Sequence, residues 1–395
     1  MKNFIFFTFA ILLFSKVLAQ DSVISDSKNQ GFNPSFTETH NGEILLSFVE
    51  KDSEKKVRFY YCKFDGKTFG PKNYVPITDS AATHAEGMPR MAVKKDGSMI
   101  VTFEIKKYNP TSRFGSDLCY VYSQDGIQWS KPQFVIKDRK PTKSSSFSRP
   151  VRLADGEIGV IWLDEKLTSK GRSVKFAKTI PGKALGEPVV IDDQACECCR
   201  IEAITDSKGI THIFYRDMYP DGSRDMSYIF TKDSGKTFSK SRNAYPDKWK
   251  IDGCPHAGPT ATETPEGICI SWFTGKENAT GIKVVNIMTG EILKSIVKPT
   301  VKAPQLTTNS KGETFWVYTS VKNIDDEYFS TIELQKLNSK KTEMTLSKDF
   351  EICNYPAIIT TSENKIIVVY ERTAKNTNQE IVCRVLQEQN SLTTD

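Results

Sequence analysis

The sequence predicts an all-β fold, a β-propeller of four-stranded blades, seven in number with six as the alternative. Three observations carry this. One phrase recurs seven times along the 395 residues: often a proline, then a short apolar stretch, a polar turn usually containing Gly, and an alternating strand ending on an aromatic. Further strand-like segments follow each copy, so a repeat of about 50 residues holds four strands, the proportion of a propeller blade. No Pro/Ser/Gly linker or shift of composition divides the chain, which favours one large domain. A pair of β-sandwiches would explain so regular a repeat poorly.

The copies run from Pro34 through Gly42 to Phe48, Pro89 through Gly97 to Phe103, Pro150 through Gly156 to Trp162, and Arg200 through Gly209 to Phe214. They continue from Pro259 through Gly267 to Trp272, Pro304 through Gly312 to Trp316, and Pro356 through Asn364 to Tyr370. Each reads as a hairpin, because Gly and Asn accept a turn's positive φ while Val, Ile, Phe and Trp favour the pleated surface. Third strands are expected at Val57–Lys63, 118–123, 173–177, 227–231, 282–287 and 331–334. The last copy runs out near Glu380–Leu386, and a lone strand-like stretch stands at 22–25. Pairing those two would close the ring and remove its free edges.

Lys2 precedes an apolar run over 4–14 and a small-residue exit at Val17, Leu18 and Ala19. This is the layout of a cleaved secretory signal over 1–19, so a single domain over 20–395 is expected to act in the periplasm or outside the cell. No later stretch is long and apolar enough to span a bilayer, so membrane insertion is not expected. Loss of Lys2 and Lys16 with the leader takes the formal charge from +6 to +4. The remaining lysines are spread without a dense basic block, which argues against nucleic-acid binding.

Between the third and fourth strands of the fourth repeat stand Thr231, Lys232, Asp233, Ser234, Gly235, Lys236, Thr237 and Phe238, with shorter versions around Asp125, Gly126 and Trp129 and around Asp65, Gly66 and Phe69. These turns resemble the Asp boxes of sialidases and related repeat proteins, and in register with the blades the resemblance covers the mature chain. Cys196, Cys198 and Cys199, followed by Cys254, Pro255 and His256, resemble the motif of a secreted bacterial subgroup of sialidase-like Asp-box proteins. The Asp-box resemblance implies a sialidase-like propeller in which Asp125, Asp233, Gly235 and Phe238 are structural: Asp bonds turn amides, Gly supplies the backbone angle, and the aromatic tucks between sheets. Such turns lie at one end of every blade. Chemistry is therefore expected at the other, where the loops before each innermost strand converge with those between second and third strands.

The resemblance also implies a possible glycan ligand and an alternative function, an exo-sialidase-type glycoside hydrolase acting on sialylated or acidic glycans. The first-blade Arg of sialidases is replaced here by Phe32, and Gly87, Ser148, Ala257, Lys302 and Asn354 do not restore it. Arg90, Arg149, Arg152 and Arg200 stand near strand starts and offer a displaced anion clamp, with ion pairing to neighbouring Asp and Glu as the alternative. Tyr355 with Glu202 is the candidate nucleophile pair, and Asp217 or Asp164 the candidate acid.

The unusual chemistry is a cluster of soft ligands: Cys196, Glu197, Cys198, Cys199 and Arg200 before the fourth blade, and Cys254, Pro255 and His256 before the fifth. Thiolates and imidazole at this density suit Zn or Cu, with Cys196, Cys198, Cys254 and His256 as the core and Cys199 beside them. His84, Met88 and Cys353 are possible additions, Met88 tilting the choice toward copper. The leading function is a propeller that is not a standard sialidase and that binds a thiophilic metal or does thiol chemistry. The competing reading is a non-catalytic glycan-binding or structural propeller, stapled by a disulfide from Cys254 to the triplet. Cys62, Cys119, Cys269, Cys383 and His212 fall in alternating strands and read as packing residues. His40 falls in a first turn at the opposite end and is expected to be exposed.

Overall fold

The computed structural model describes residues 21–109, 115–166, 171–181, 184–339 and 344–387, so the expected leader lies outside the described residues. Every regular element in them is a strand, and no helix among them is long and apolar enough to cross a membrane. Seven innermost strands touch in turn around an axis: Gln30–Glu38, Arg90–Val93, Ser145–Arg152, Glu202–Thr205, Thr260–Thr264, Val301–Thr308 and Ile352–Thr360, the last touching the first. The first five each begin a sheet of four antiparallel strands laid down in chain order from axis to rim.

The expected blade count is corrected by the pairing. Five four-stranded blades are present, not seven or six, and the strands from Val301 onward form one eight-stranded sheet with Ser22–Val23. In it Glu327–Lys336 and Ile352–Thr360 are joined in parallel at Ser330 and Ile352. The outermost strand of that repeat has shrunk to Met344–Thr345, which covers only Glu333 and Leu334, so the rest of the edge is free to take a different neighbour. Ser22–Val23 pairs with Glu380–Leu386 at Cys383 and Val382.

Apolar side chains from facing sheets fill the spaces between them, around the fully buried Trp162, Trp272 and Trp316. Cys62, Cys119, Cys269 and Cys383 are buried in strands, and His212 is buried with its ring nitrogens on Tyr228 Oη (2.7 Å) and Asp206 (3.0 Å). In the turn after Met226–Thr231, Asp233 accepts the Lys236 and Thr237 amides at 3.0 and 2.9 Å. Gly235 at φ 83° passes so close to Phe176 that a Cβ would lie 2.4 Å from it, and Phe238 packs on the same ring at 5.0 Å. Asp125 likewise takes the Ile127 and Gln128 amides, both at 2.8 Å.

Four innermost strands carry a bulge at one level, with two residues opposite one of the next strand. They fall at Asn33 and Pro34, Phe147 and Ser148, Ala303 and Pro304, and Tyr355 and Pro356. The first residue of each pair has φ between 48° and 58°. A bulge re-aims side chains and leaves an amide unpaired, and buried carboxylates of the preceding second strand take two of these amides. Glu371 accepts Asn33 N at 2.8 Å and Glu104 accepts Phe147 N at 2.7 Å.

Burial pushes the Glu371 carboxyl up to about 7. The folded protein then holds this proton more tightly than the unfolded chain, so the stability it contributes is full below the ordinary Glu value and is lost as pH rises through about 7. Across that window the loss amounts to about 3 kcal/mol. Denaturant unfolding at about pH 5 and about pH 8 is expected to show Glu371→Gln flattening the decline by that order, whereas parallel profiles for the two proteins would contradict the assignment.

Candidate functional site: an arginine-lined cavity beside a thiol cluster

The innermost strands, bulged and regular, and the loops leading into them surround a cavity of about 130 Å³, lined among others by Ser35, Arg90, Arg149, Arg200, Glu202 and Tyr355. Two of its three arginines have carboxylate partners: Arg149 meets Glu202 at 2.6 Å and Arg200 meets Glu86 at 2.5 Å. Arg90 has only a hydroxyl, Ser35 Oγ at 2.7 Å, and no carboxylate within ion-pair distance among the described residues. Burial, and then Arg149, pull Arg90 down to about 9. Arg149 Nε and Arg200 Nη2 are buried with no hydrogen-bond partner. Cationic donors exceed acceptors in this small space, and that imbalance favours an anion.

The fourth candidate arginine stands apart. Arg152 donates to the Thr39 carbonyl at 2.5 Å and lies 3.7 Å from Glu38. It is three positions beyond Arg149, so strand alternation turns it to the other face, toward the opposite end of the blade.

Tyr355 lines the cavity at φ 48° and is 41% exposed. Burial, and then Glu371 and Glu86, push its phenol up. No hydrogen bond links it to Glu202, which is held by Arg149 and by the Ala203 amide at 2.9 Å. Asp217 is not among the cavity's walls. It sits buried near the thiols, accepts Ser227 Oγ at 2.6 Å and the Met218 amide at 2.7 Å, and is pushed by burial up to about 6. Asp164 is engaged by Ser145 and Lys175, both at 2.6 Å.

The loops before the fourth and fifth blades bring the soft ligands together. Sulfurs of Cys196 and Cys198 are 3.9 Å apart, and those of Cys198 and Cys199 4.0 Å. Ligand atoms of Cys196, Cys198 and Cys199 lie within 4.8 Å of one another, and so do those of Cys198, Cys254 and His256. Cys198 is thus the shared corner. Sulfurs around a tetrahedral ion with bonds of about 2.3 Å stand about 3.8 Å apart, so the spacing fits. Hydrogen bonds from Cys198 and Cys199, and the Arg224 guanidinium at 3.1 Å, hold Cys196 far below the ordinary thiol range, while burial pushes Cys199 up to about 12.

All nine cysteines are free, which corrects the inter-blade disulfide expected as an alternative: Cys254 reaches Cys198 without bonding to it. The three additional ligands do not join among the described residues. His84 accepts the Gly87 amide at 3.0 Å and lies 3.8 Å from Glu104, Met88 turns into the axial cavity, and Cys353 is buried in the eight-stranded sheet's core. His40 is exposed.

Sequence reasoning missed Glu86 and Arg224. Glu86 lies between His84 and Met88 in a loop already singled out, but its partners are 114 and 172 residues away. Nothing local marks it.

No protein-family model matches the sequence and no curated protein does. Among solved structures, the chain is similar to polysaccharide lyase Uly1 at 11% identity and TM-score 0.57, covering 90% of each chain. It is similar to an ulvan lyase bound to a glucuronic acid and sulfated rhamnose unit, at 9% identity and TM-score 0.56, covering 94% of this chain and 100% of that one. The Ruminococcus gnavus intramolecular trans-sialidase in complex with oseltamivir carboxylate matches at 10% identity and TM-score 0.51, over 95% and 99% of the two chains. The fold is a sialidase-like propeller.

Proposed function

We propose that this is an exported propeller that binds an acidic residue of a glycan in its axial cavity and holds a thiophilic ion beside it. The observation that carries the first part is Arg90, a half-buried guanidinium with no carboxylate within ion-pair distance among the described residues, between two that have one. A sugar carboxylate or sulfate supplies the missing charge and accepts from the donors of Arg149 and Arg200 that have no partner. Structures of similar fold carry acidic ligands, a glucuronic acid unit in one and oseltamivir carboxylate in another, which supports the reading. Among the described residues no hydrogen bond joins Tyr355 to Glu202, which is engaged by Arg149, and binding rather than hydrolysis is the activity proposed.

The second part rests on the shared corner at Cys198. Cys198, Cys254 and His256 offer two thiolates and one imidazole, and Cys198 is also within reach of Cys196 and Cys199. With Met88 turned away, this donor set suits Zn(II) better than copper, and the ion would tie two blades together.

Titration calorimetry against uronate, sulfate and sialate oligosaccharides and their neutral counterparts is expected to show binding by at least one acidic class alone. Binding of none, or of neutral sugars equally, would remove the reading. Product release from sialosides would restore the hydrolase instead.

A further inference from the structure

The two sites meet at one carboxylate. Glu86 Oε2 accepts both the Arg200 amide at 2.8 Å and the Gly258 amide at 2.9 Å, while Oε1 takes the Arg200 guanidinium at 2.5 Å. Arg200 directly follows Cys199, and Gly258 stands two residues after His256. Both arms of the thiol cluster are therefore clamped at a single buried oxygen, and the other oxygen of the same group holds a wall of the anion cavity.

The joint is closely packed. A Cβ on Gly258 would lie 2.2 Å from Arg200 Cγ and 2.5 Å from its carbonyl oxygen, so the two loops are in close contact where Glu86 joins them. An ion that drew the two arms together would therefore act on the backbone that carries Arg200 and, through it, on Glu86.

We infer that Glu86 couples the sites, so that a metal ion held by the thiols tightens binding of an acidic sugar in the axial cavity. Thermodynamic reciprocity then requires the sugar to tighten the ion by the same factor. The inference rests on both parts of the proposed function.

The test is calorimetric, on the mature full-length protein, with a glucuronate-bearing disaccharide titrated into zinc-free and zinc-loaded samples. The expected result is affinity at least about fivefold higher with zinc, the low end of ordinary coupling. Glu86→Gln keeps an acceptor for the two amides but gives up the ion pair with Arg200, and is expected to bring that ratio toward one, whatever its affinity for each ligand alone. Equal affinities in the two wild-type samples overturn the coupling and leave both sites standing. A wild-type ratio retained in Glu86→Gln overturns the role of Glu86. Failure of zinc to bind the wild-type protein, or of the glucuronate disaccharide to bind it with or without zinc, overturns the coupling, and only failure of every acidic class to bind removes the proposed glycan site itself.

Discussion

Replacing Arg90 by Met is expected to weaken binding of an acidic oligosaccharide by about thirtyfold or more, ~2 kcal/mol, while leaving thermal stability unchanged or raised. The two outcomes together are the signature of a cation kept for a ligand. Arg90 is hydrogen-bonded to Ser35 and has no carboxylate within ion-pair distance among the described residues, so its charge is expected to cost folding stability rather than add to it, and a side chain of similar size without charge removes that cost. Arg149→Met makes the contrast. It leaves Glu202 in the cavity without its guanidinium, and removing one member of a buried pair is expected to cost about 3–5 kcal/mol of folding stability. Should Arg90→Met bind as tightly as the wild type, or lose stability as Arg149→Met does, Arg90 would be a structural residue and the cavity no anion site.

Cys198→Ser carries the second large effect. Cys198 belongs to both ligand groups, so its loss is expected to abolish stoichiometric zinc. Serine keeps nearly the same volume, so the fold itself should survive. An ion present at about a thousand times its dissociation constant stabilises by about 4 kcal/mol. Chelation should therefore lower the unfolding temperature of the wild-type protein and leave that of Cys198→Ser unmoved. One tightly held zinc per chain in the variant, by elemental analysis after gel filtration, would contradict the assignment.

The repeat was legible because each hairpin carries its own turn and alternation, as at Val57–Lys63 and Glu380–Leu386, whose bounds read in sequence are those of the strands. Blade separation was not, because it depends on how much of Glu327–Lys336 the two residues Met344–Thr345 can cover, and strand length at a rim leaves no periodic mark. The soft ligands were legible as residue types before adjacent blades. Which of them meet was not: Cys353 was expected before an innermost strand like the others, yet it lies inside the strand Ile352–Thr360 of the eight-stranded sheet, far around the ring in chain order. Arg152 differs from Arg149 within one regular stretch of strand, three positions on and so on the opposite face, a distinction that alternation alone could have drawn.

Soluble protein crystallised with a glucuronate-bearing oligosaccharide tests the central claim most directly. The account predicts the sugar carboxylate within hydrogen-bonding distance, about 2.7–3.0 Å, of the Arg90 guanidinium, with Arg149 Nε or Arg200 Nη2 among its further donors. A bound oligosaccharide whose carboxylate lies outside the cavity walled by Ser35, Arg90, Arg149, Arg200 and Tyr355, with Arg90 still turned to Ser35 alone, would contradict it.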